Sequence, residues 1–397
     1  MSRIDEMVQR LCPDGVEYRS LGDMLKYEQP GKYIVSSTNY DDSYPVPVLT
    51  AGKSFILGYT NDVDGIYEAS KDHPVVLIDD FTTANRWVDF PFKIKSSAAK
   101  LLSSRDEARF SLRYLFYLLQ VNQYEPMEHS RQWIGTFSKI EVPVPPLDVQ
   151  REIVRVLDSF AELEAELEAE LEARKAQYVH YRDELLTCES LEVLAAAPVN
   201  MAPLGELGTF SRGRRFTKAD YVEEGIPSIH YAEIYTRFGT STNKALSFVR
   251  FDKADSLRYA QPGDLIIACT GEDAKDIAKA VAWLGEGPVA VHDDCSIYRH
   301  SLNPKYVSYY FQTGGFSRLK EMYSTKAKMT RISAKRLASI EIPVPPPSVQ
   351  QKVVDILDRF EVLTTSLADG LPAEIEARRQ QYEYYRDKLL DFPRKES

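Results

Sequence analysis

No run of about 18 apolar residues occurs anywhere in the 397-residue sequence, so no membrane-crossing helix is expected. Cysteine is scarce: Cys12, Cys188, Cys269 and Cys295 are scattered and form no C-x-x-C pair, a usage that fits a reducing cytoplasm. The opening "MSRIDEMVQRL" lacks the apolar centre of a signal peptide, and its Ile4, Met7, Val8 and Leu11 follow helical spacing instead. No G-x-x-x-x-G-K-S/T loop is present, so nucleotide binding of that kind is unsupported. The Asn/Asp-Pro-Pro-Tyr/Phe motif of adenine methyltransferases is also missing, and "VPPL" and "VPPP" do not replace it. Excess positive charge is lacking too. The net charge is −10, which weighs against a nucleic-acid binder unless the acid is concentrated in one place.

What the chain does have, it has twice. "IEVPVPPLDVQ" begins at Ile140 and "IEIPVPPPSVQ" at Ile340. The echo continues: "VQREIVRVLDSF" (Val149 to Phe160) matches "VQQKVVDILDRF" (Val349 to Phe360) at an offset of 200. "EARKAQYVHYRDELL" from Glu172 then matches "EARRQQYEYYRDKLL" from Glu376 at an offset of 204. The second copy therefore gains four residues around "LADGLP", close to one helical turn, which keeps the flanking faces nearly in register.

Each copy reads as a long amphipathic helix. The prolines at 145, 146, 345, 346 and 347 stop the incoming chain. Ser348, with Gln351 completing a capping box, and Asp148 are the expected N-caps. Ile153, Leu157, Phe160, Leu163, Leu167 and Leu171 recur at steps of three or four, and Tyr178, Tyr181 and Leu185 continue the stripe. About 40 residues of helix span roughly 60 Å. Two such helices in one chain are expected to pack on each other as a coiled coil. Gly370 and Pro372 should loosen the second.

Between the repeats, "PVVLI", "DLIIACT" and "PVAVH" read as strands and "LRYLFYLLQV" as a helix, giving two compact α/β globules whose middles share little. They open alike, with "YRSLGDM" beside "APLGELG". The expected division is 1–147 for the first globule, 148–187 for the first helix, 188–347 for linker and second globule, and 348–397 for the second helix and tail. The fold class is α+β: two α/β globules separated by two long helices, with a pseudo-two-fold internal repeat.

The duplicated "IPVPP…VQ…VV.ILD.F" entry and "Q-Y-x-x-Y-R-D-x-L-L" exit, set around two dissimilar globules, resemble the specificity subunit of type I restriction–modification systems. The resemblance covers essentially the whole chain. "AGKSFILGYTND" and "IDDFTTANRWVDFPFKIKSSA" look like one type of target-recognition domain of that family. "SRGRRFTKADY" and "PGDLIIACTGEDAKDIAKA" look like another. It implies a non-catalytic, cytoplasmic subunit whose two globules each read half of a bipartite asymmetric site on double-stranded DNA. The helices would pair antiparallel, set the spacer and dock two adenine methyltransferase subunits, and motor–nuclease subunits would complete the complex. No cofactor is implied in this chain; S-adenosylmethionine, ATP and magnesium would be bound by the partner subunits. Tyr178, Tyr181, Arg182, Tyr382, Tyr385 and Arg386 lie in the shared frame and are expected in helix pairing or partner docking.

The acid is indeed concentrated. Six glutamates alternate through "AELEAELEAELE" (Ala161 to Glu172) and read first as a solvated helix face, second as a dock for a basic partner. The globules hold basic islands suited to phosphate: Arg212, Arg214, Arg215 and Lys218; Lys326, Lys328 and Arg331; Lys93 and Lys95. Base edges need hydrogen-bonding side chains. The candidates are Thr82, Thr83, Asn85, Arg86, Arg131 and Gln132 in the first globule, and His230, Tyr231, Thr270 and Lys275 in the second. Trp133 reads as core. A competing reading is a metal-dependent nuclease using Asp264, Asp273 and Lys275, and a third is a structural coiled-coil adapter. "HDDC" (His292 to Cys295) offers two metal ligands without a partner pair.

The tetrad run supplies a ruler. Deleting Ala165 to Glu168 removes about 6 Å of helix and about 400° of rotation, so the apolar stripe stays within about 40° of register. Methylome sequencing of cells carrying this deletion with the cognate methyltransferase should show the spacer shortened by about one or two base pairs and both half-sites intact. Deleting two residues rotates the stripe by about 200° and should abolish assembly. An unchanged spacer in the active tetrad deletion refutes the ruler.

Overall fold

A computed structural model describes residues 3–50, 52, 54–123, 130–271, 277–324, 330–365 and 370–396. In chain order, the helices include α1 (Arg3–Leu11), α2 (Leu112–Val121), α3 (Leu147–Leu185), α4 (Tyr231–Thr236), α5 (Pro304–Tyr310), α6 (Pro347–Thr365) and α7 (Leu371–Leu390). The chain divides into two compact units, Met1–Leu167 with Ile375–Ser397, and Glu168–Glu374. The division falls inside α3 and near the start of α7, whereas the boundaries expected from sequence follow the ends of the helices.

The first unit holds a four-stranded sheet, ordered Leu25–Glu28, Ala99–Ser104, Val75–Asp79, Asn85–Val88, and a three-stranded sheet, ordered Ile56–Thr60, Val46–Leu49, Lys93–Ile94. The run Val75 to Ile78 is buried on both faces, as its unbroken apolar sequence requires. Strand Glu17–Ser20 pairs antiparallel with Glu141–Val144 and closes the globule where it joins the helix. The second unit has two five-stranded sheets that share no strand, and its own closing pair, Asn200–Pro203 with Glu341–Val344.

The two closures are the same joint. Leu21 N donates to Ile140 O at 3.0 Å, and Leu204 N to Ile340 O at 2.9 Å. A Cβ on Gly22 would lie 3.1 Å from Ser138 O, and one on Gly205 3.1 Å from Ala338 O, so "SLGDM" and "PLGEL" keep glycine for close approach. The repeated "VQ" is explained next. Gln150 is buried in the first turn of α3; its amide accepts from Ser111 N at 2.9 Å and donates to Pro145 O at 2.8 Å. Gln350 does the same in α6 with Asn303 N and Pro345 O, both at 2.8 Å. Ser111 and Asn303 are the N-caps of α2 and α5. Each glutamine thus fixes the angle between a globule helix and a frame helix.

Two expectations need correction. The frame helices start at Leu147 and Pro347, and Pro146 O and Pro346 O accept the first helical bonds. Asp148 and Ser348 therefore sit inside the first turn rather than at the cap. The globules also share more than their ends. α2 and α5 correspond at an offset of 192: Tyr114 and Tyr306 donate to Pro143 O and Pro343 O, and Tyr117 and Tyr309 donate to Asp158 and Asp358.

Within each unit the helices run antiparallel. In the first, Phe160 of α3 stacks on Tyr385 of α7 at 5.7 Å and Glu164 pairs with Arg379 at 2.8 Å. In the second, Tyr181 of α3 meets Phe360 of α6 at 5.7 Å. These are one contact written twice. Arg182 and Arg386 lie over Tyr178 and Tyr382 at 5.6 and 5.7 Å, and each is held by the following aspartate. Arg182 is buried, so it belongs to the frame. Of the second frame helix, α6 runs to Thr365 and α7 starts at Leu371, beside Gly370 and Pro372, and residues 366–369 lie outside the described residues.

Replacing Gln150 by Leu leaves the Ser111 amide without its acceptor and should cost about 1–3 kcal/mol. Gln350→Leu should match it in the second unit, read by chemical denaturation of the purified chain. Equal stability of both variants and the parent counts against the joint.

Candidate nucleic-acid interface

In the second unit, strand Gly208–Arg212 runs into the loop "RGRRFTK". A Cβ on Gly213 would meet His292 O at 2.1 Å, so only glycine lets this loop lie on the 291–292 backbone. Arg214 N then donates to Val291 O at 2.9 Å. Arg214, Arg215 and Lys218 are exposed, and none has a carboxylate at ion-pair distance among the described residues. Arg212 is exposed but held by Asp293 at 3.2 Å.

From this loop a chain of rings leads to the base-reading candidates. His292 meets Phe216, Phe216 meets Tyr221, Tyr221 meets His230, His230 meets Tyr231 and Tyr231 meets Tyr235, with centroids 4.8 to 6.4 Å apart. Tyr235 donates to Thr270 O at 2.8 Å, and Thr270 pairs in register with Arg331, whose side chain is exposed. The structure therefore gathers Arg212, Arg214, Arg215, Lys218, His230, Tyr231 and Arg331 into one connected stretch. His230 caps α4, and its half-buried ring has a pKa lowered chiefly by burial, against the pull of Glu233. A neutral imidazole can donate from one nitrogen and accept at the other.

The first unit assembles its candidates around a buried carboxylate. Asp80 takes Lys100 at 2.9 Å and Arg131 at 3.6 Å, and accepts from Trp133 N at 2.9 Å. It thereby ties the 130–133 segment to the turn at 79–84. Thr83 in that turn has φ +59°, and Asp79 caps the Phe81 and Thr82 amides. The exposed groups presented there are Thr82, Arg86 and Arg131, with Arg131 resting over Phe81 at 5.9 Å. Lys95 is part-exposed beside Tyr40.

Several expected contacts are scaffold instead. Thr83, Asn85, Gln132 and Thr270 are buried and cannot reach a base edge in this conformation. Asn85 donates to Thr83 O, and Gln132 to Ser130 O. Lys93 is also buried; it pairs with Asp62 at 2.8 Å and bonds to Asp64 O, so it is no phosphate contact. Lys93 and Ser36 hold the Asp62 carboxyl well below the usual carboxylate range. Trp133 is core. Lys275, Lys326, Lys328 and Asp273 lie outside the described residues. Asp264 is buried against Arg299 at 2.7 Å and accepts from Gln261 N, a structural role that removes it from the nuclease reading. His292, Asp293 and Asp294 bring ligand atoms within 4.8 Å, but Arg212 already occupies Asp293. Sequence reasoning missed Asp80 and Asp62, whose partners Lys100 and Lys93 lie 20 and 31 residues further on, and Asp220, which the local T-x-x-D spacing from Thr217 marks.

Over this geometry, a family model described as the type I restriction modification DNA specificity domain matches twice, at residues 13–173 and 198–377. The chain belongs to the type I specificity subunits. It is 39% identical to the EcoR124I/EcoR124II specificity subunit of Escherichia coli, over 100% of this chain and 99% of that one. It is 29% identical to a putative type I restriction enzyme specificity subunit of Haemophilus influenzae, over 70% of this chain and 72% of that one. A solved chain of a type I R-M system shares the fold at TM-score 0.61 and 16% identity, over 95% and 98% of the two chains. Neither the free-nuclease reading nor the plain coiled-coil adapter finds support among these relatives of the specificity subunit. Among its described residues no helix is long and apolar enough to cross a membrane.

Arg214→Ala with Arg215→Ala should weaken binding of the assembled complex to DNA and flatten its salt dependence by about 0.9 in log–log slope for each phosphate no longer neutralised. Lys93→Met should leave that slope unchanged and lower the melting temperature. A salt slope altered by Lys93→Met and unaltered by the arginine pair reverses the assignment.

Proposed function

We propose that each globule of this specificity subunit reads one half of a bipartite, asymmetric site on double-stranded DNA, with the paired helices setting the spacer. The observation that carries this reading is the joint. One duplicated device, built from a strand pair, a buried glutamine and a capped helix, holds two globules whose sheets and exposed side chains differ. A shared frame with unlike faces suits two unlike half-sites. In the second globule the exposed Arg214, Arg215, Lys218 and Arg331 suit phosphate contact, and His230 and Tyr231 suit a base edge. In the first, Arg86 and Arg131 match the bidentate demand of guanine, beside Thr82.

The frame also offers protein surface. Tyr384 and Tyr385 in the first unit, and Val179, Tyr181, Val362 and Leu363 in the second, are exposed apolar side chains on the paired helices. Repetition of the frame favours two like partners, which we assign as two adenine methyltransferase subunits, with motor–nuclease subunits completing the complex. In this reading the chain itself is non-catalytic and cytoplasmic, and S-adenosylmethionine, ATP and magnesium belong to the partners.

Replacing residues 21–140 by the corresponding globule of another specificity subunit should change one half of the methylated motif and leave the other half as it was. Methylome sequencing reads both halves at once. Changes in both halves contradict independent reading.

A further inference from the structure

Among the described residues, Phe251 is the most exposed aromatic side chain of the second globule. It opens the short helical turn Phe251–Ser256 and is 70% exposed. A lone exposed apolar side chain carries no meaning by itself; its setting here does.

The turn is clamped to the basic loop. Asp220, which ends the "RGRRFTKAD" stretch, is 5% exposed. Its carboxylate accepts from Thr217 N at 2.8 Å and Thr217 Oγ1 at 2.9 Å, which locks the loop. The same carboxylate pairs with Arg250 at 3.3 Å and Lys253 at 3.5 Å, the cations on either side of Phe251. Arg250 N also donates to Asp220 O at 3.0 Å. Thr217 and these two cations hold the Asp220 carboxyl below the ordinary range, Thr217 first. Inside the turn, Ser256 Oγ donates to Lys253 O at 2.7 Å and Tyr259 to Ala254 O at 3.0 Å. Arg258 reaches across to Arg212 O at 2.7 Å. The phenyl ring is therefore presented outward by a turn tied through Asp220 to the basic loop. Asp252 and Asp255 lie on the same turn, and Arg250 Nε meets Asp252 at 3.2 Å. The loop adds Arg214, Arg215 and Lys218, which have no carboxylate at ion-pair distance among the described residues.

An apolar ring among cations, held at fixed height, has the chemistry of a wedge. Minor-groove binders that read the groove with Arg, Lys, Asn or Gln frequently insert apolar wedges such as Phe between base steps. We propose that Phe251 is a DNA-inserting wedge of the second globule, pressed against a base step in or beside that globule's half-site, with Asp220 as the positioning residue. This rests on the reading of the second globule as a DNA reader. The loop clamped to this turn carries the exposed Arg214, Arg215 and Lys218, which favour the polyanion over a protein partner as the occupant.

The test uses the complex assembled with its methyltransferase and duplexes carrying its own methylated motif, with 2-aminopurine placed at successive steps across the second half-site. The parent complex should brighten the probe at one step, the sign of unstacking. Phe251→Ala should abolish that rise and weaken binding about tenfold, as removal of a base–aromatic stack does. Phe251→Leu should keep most of both. Unchanged fluorescence and affinity in Phe251→Ala overturn the wedge. Unchanged DNA binding with weakened methyltransferase association overturns it in favour of a protein-docking contact. Arg214→Ala with Arg215→Ala separates the layers: if this pair loses DNA affinity and Phe251→Ala does not, only the wedge fails. If neither loses affinity, the reading of the globule fails first.

Discussion

The antiparallel contact between Phe160 and Tyr385, repeated as Tyr181 with Phe360, is the interaction on which the rest depends. Each unit contains one copy, made of one residue from a helix entry and one from a helix exit. The exit of one repeat must therefore meet the entry of the other. That requirement explains why α3 is a single 39-residue helix shared by both units, and why four extra residues, close to one turn, were tolerated in the second repeat. A change of two residues would turn the aromatic off the seam.

On this seam the globules are mounted through buried polar bonds rather than apolar packing alone. Gln150 and Gln350 leave no freedom at the mounting, because a buried amide satisfied on both its oxygen and its nitrogen has one geometry. Tyr117 on Asp158, and Tyr309 on Asp358 and Glu361, add a second point of attachment. Burial and the adjoining carboxylates push both phenols well above their ordinary pKa, so each stays a donor. The second globule has the firmer mounting: Glu361 also takes Thr240, and its counterpart in the first repeat is Ala161.

The frame was legible in the sequence because a duplicated phrase and helical spacing are local signals. Ile153, Leu157 and Phe160 could be assigned to one stripe by counting. The division of labour within the loops was not legible. Lys93 and Lys95 differ by two positions and look alike, yet Lys93 is buried against Asp62 while Lys95 stays part-exposed beside Tyr40, and a partner 31 residues away decides it. Thr82 and Thr83 are neighbours, and the positive φ of Thr83 turns one in and leaves the other out. The kinship of α2 and α5 was hidden because their aligned residues keep only Tyr-x-x-Tyr and a cation before it, at an offset different from that of the frame. Burial by distant partners is a tertiary fact that no window of sequence contains.

The globules are in this view interchangeable passengers on a symmetric frame, and that can be asked of the molecule directly. The closing bonds between Leu21 and Ile140, and between Leu204 and Ile340, mark equivalent cut points. A chain in which residues 21–140 also replace residues 204–340 carries the first globule twice. The measurement is methylome sequencing of cells expressing that chain with the cognate methyltransferase. The predicted motif is an inverted repeat of the first half-site about the spacer. A motif that keeps its original asymmetric second half would contradict it.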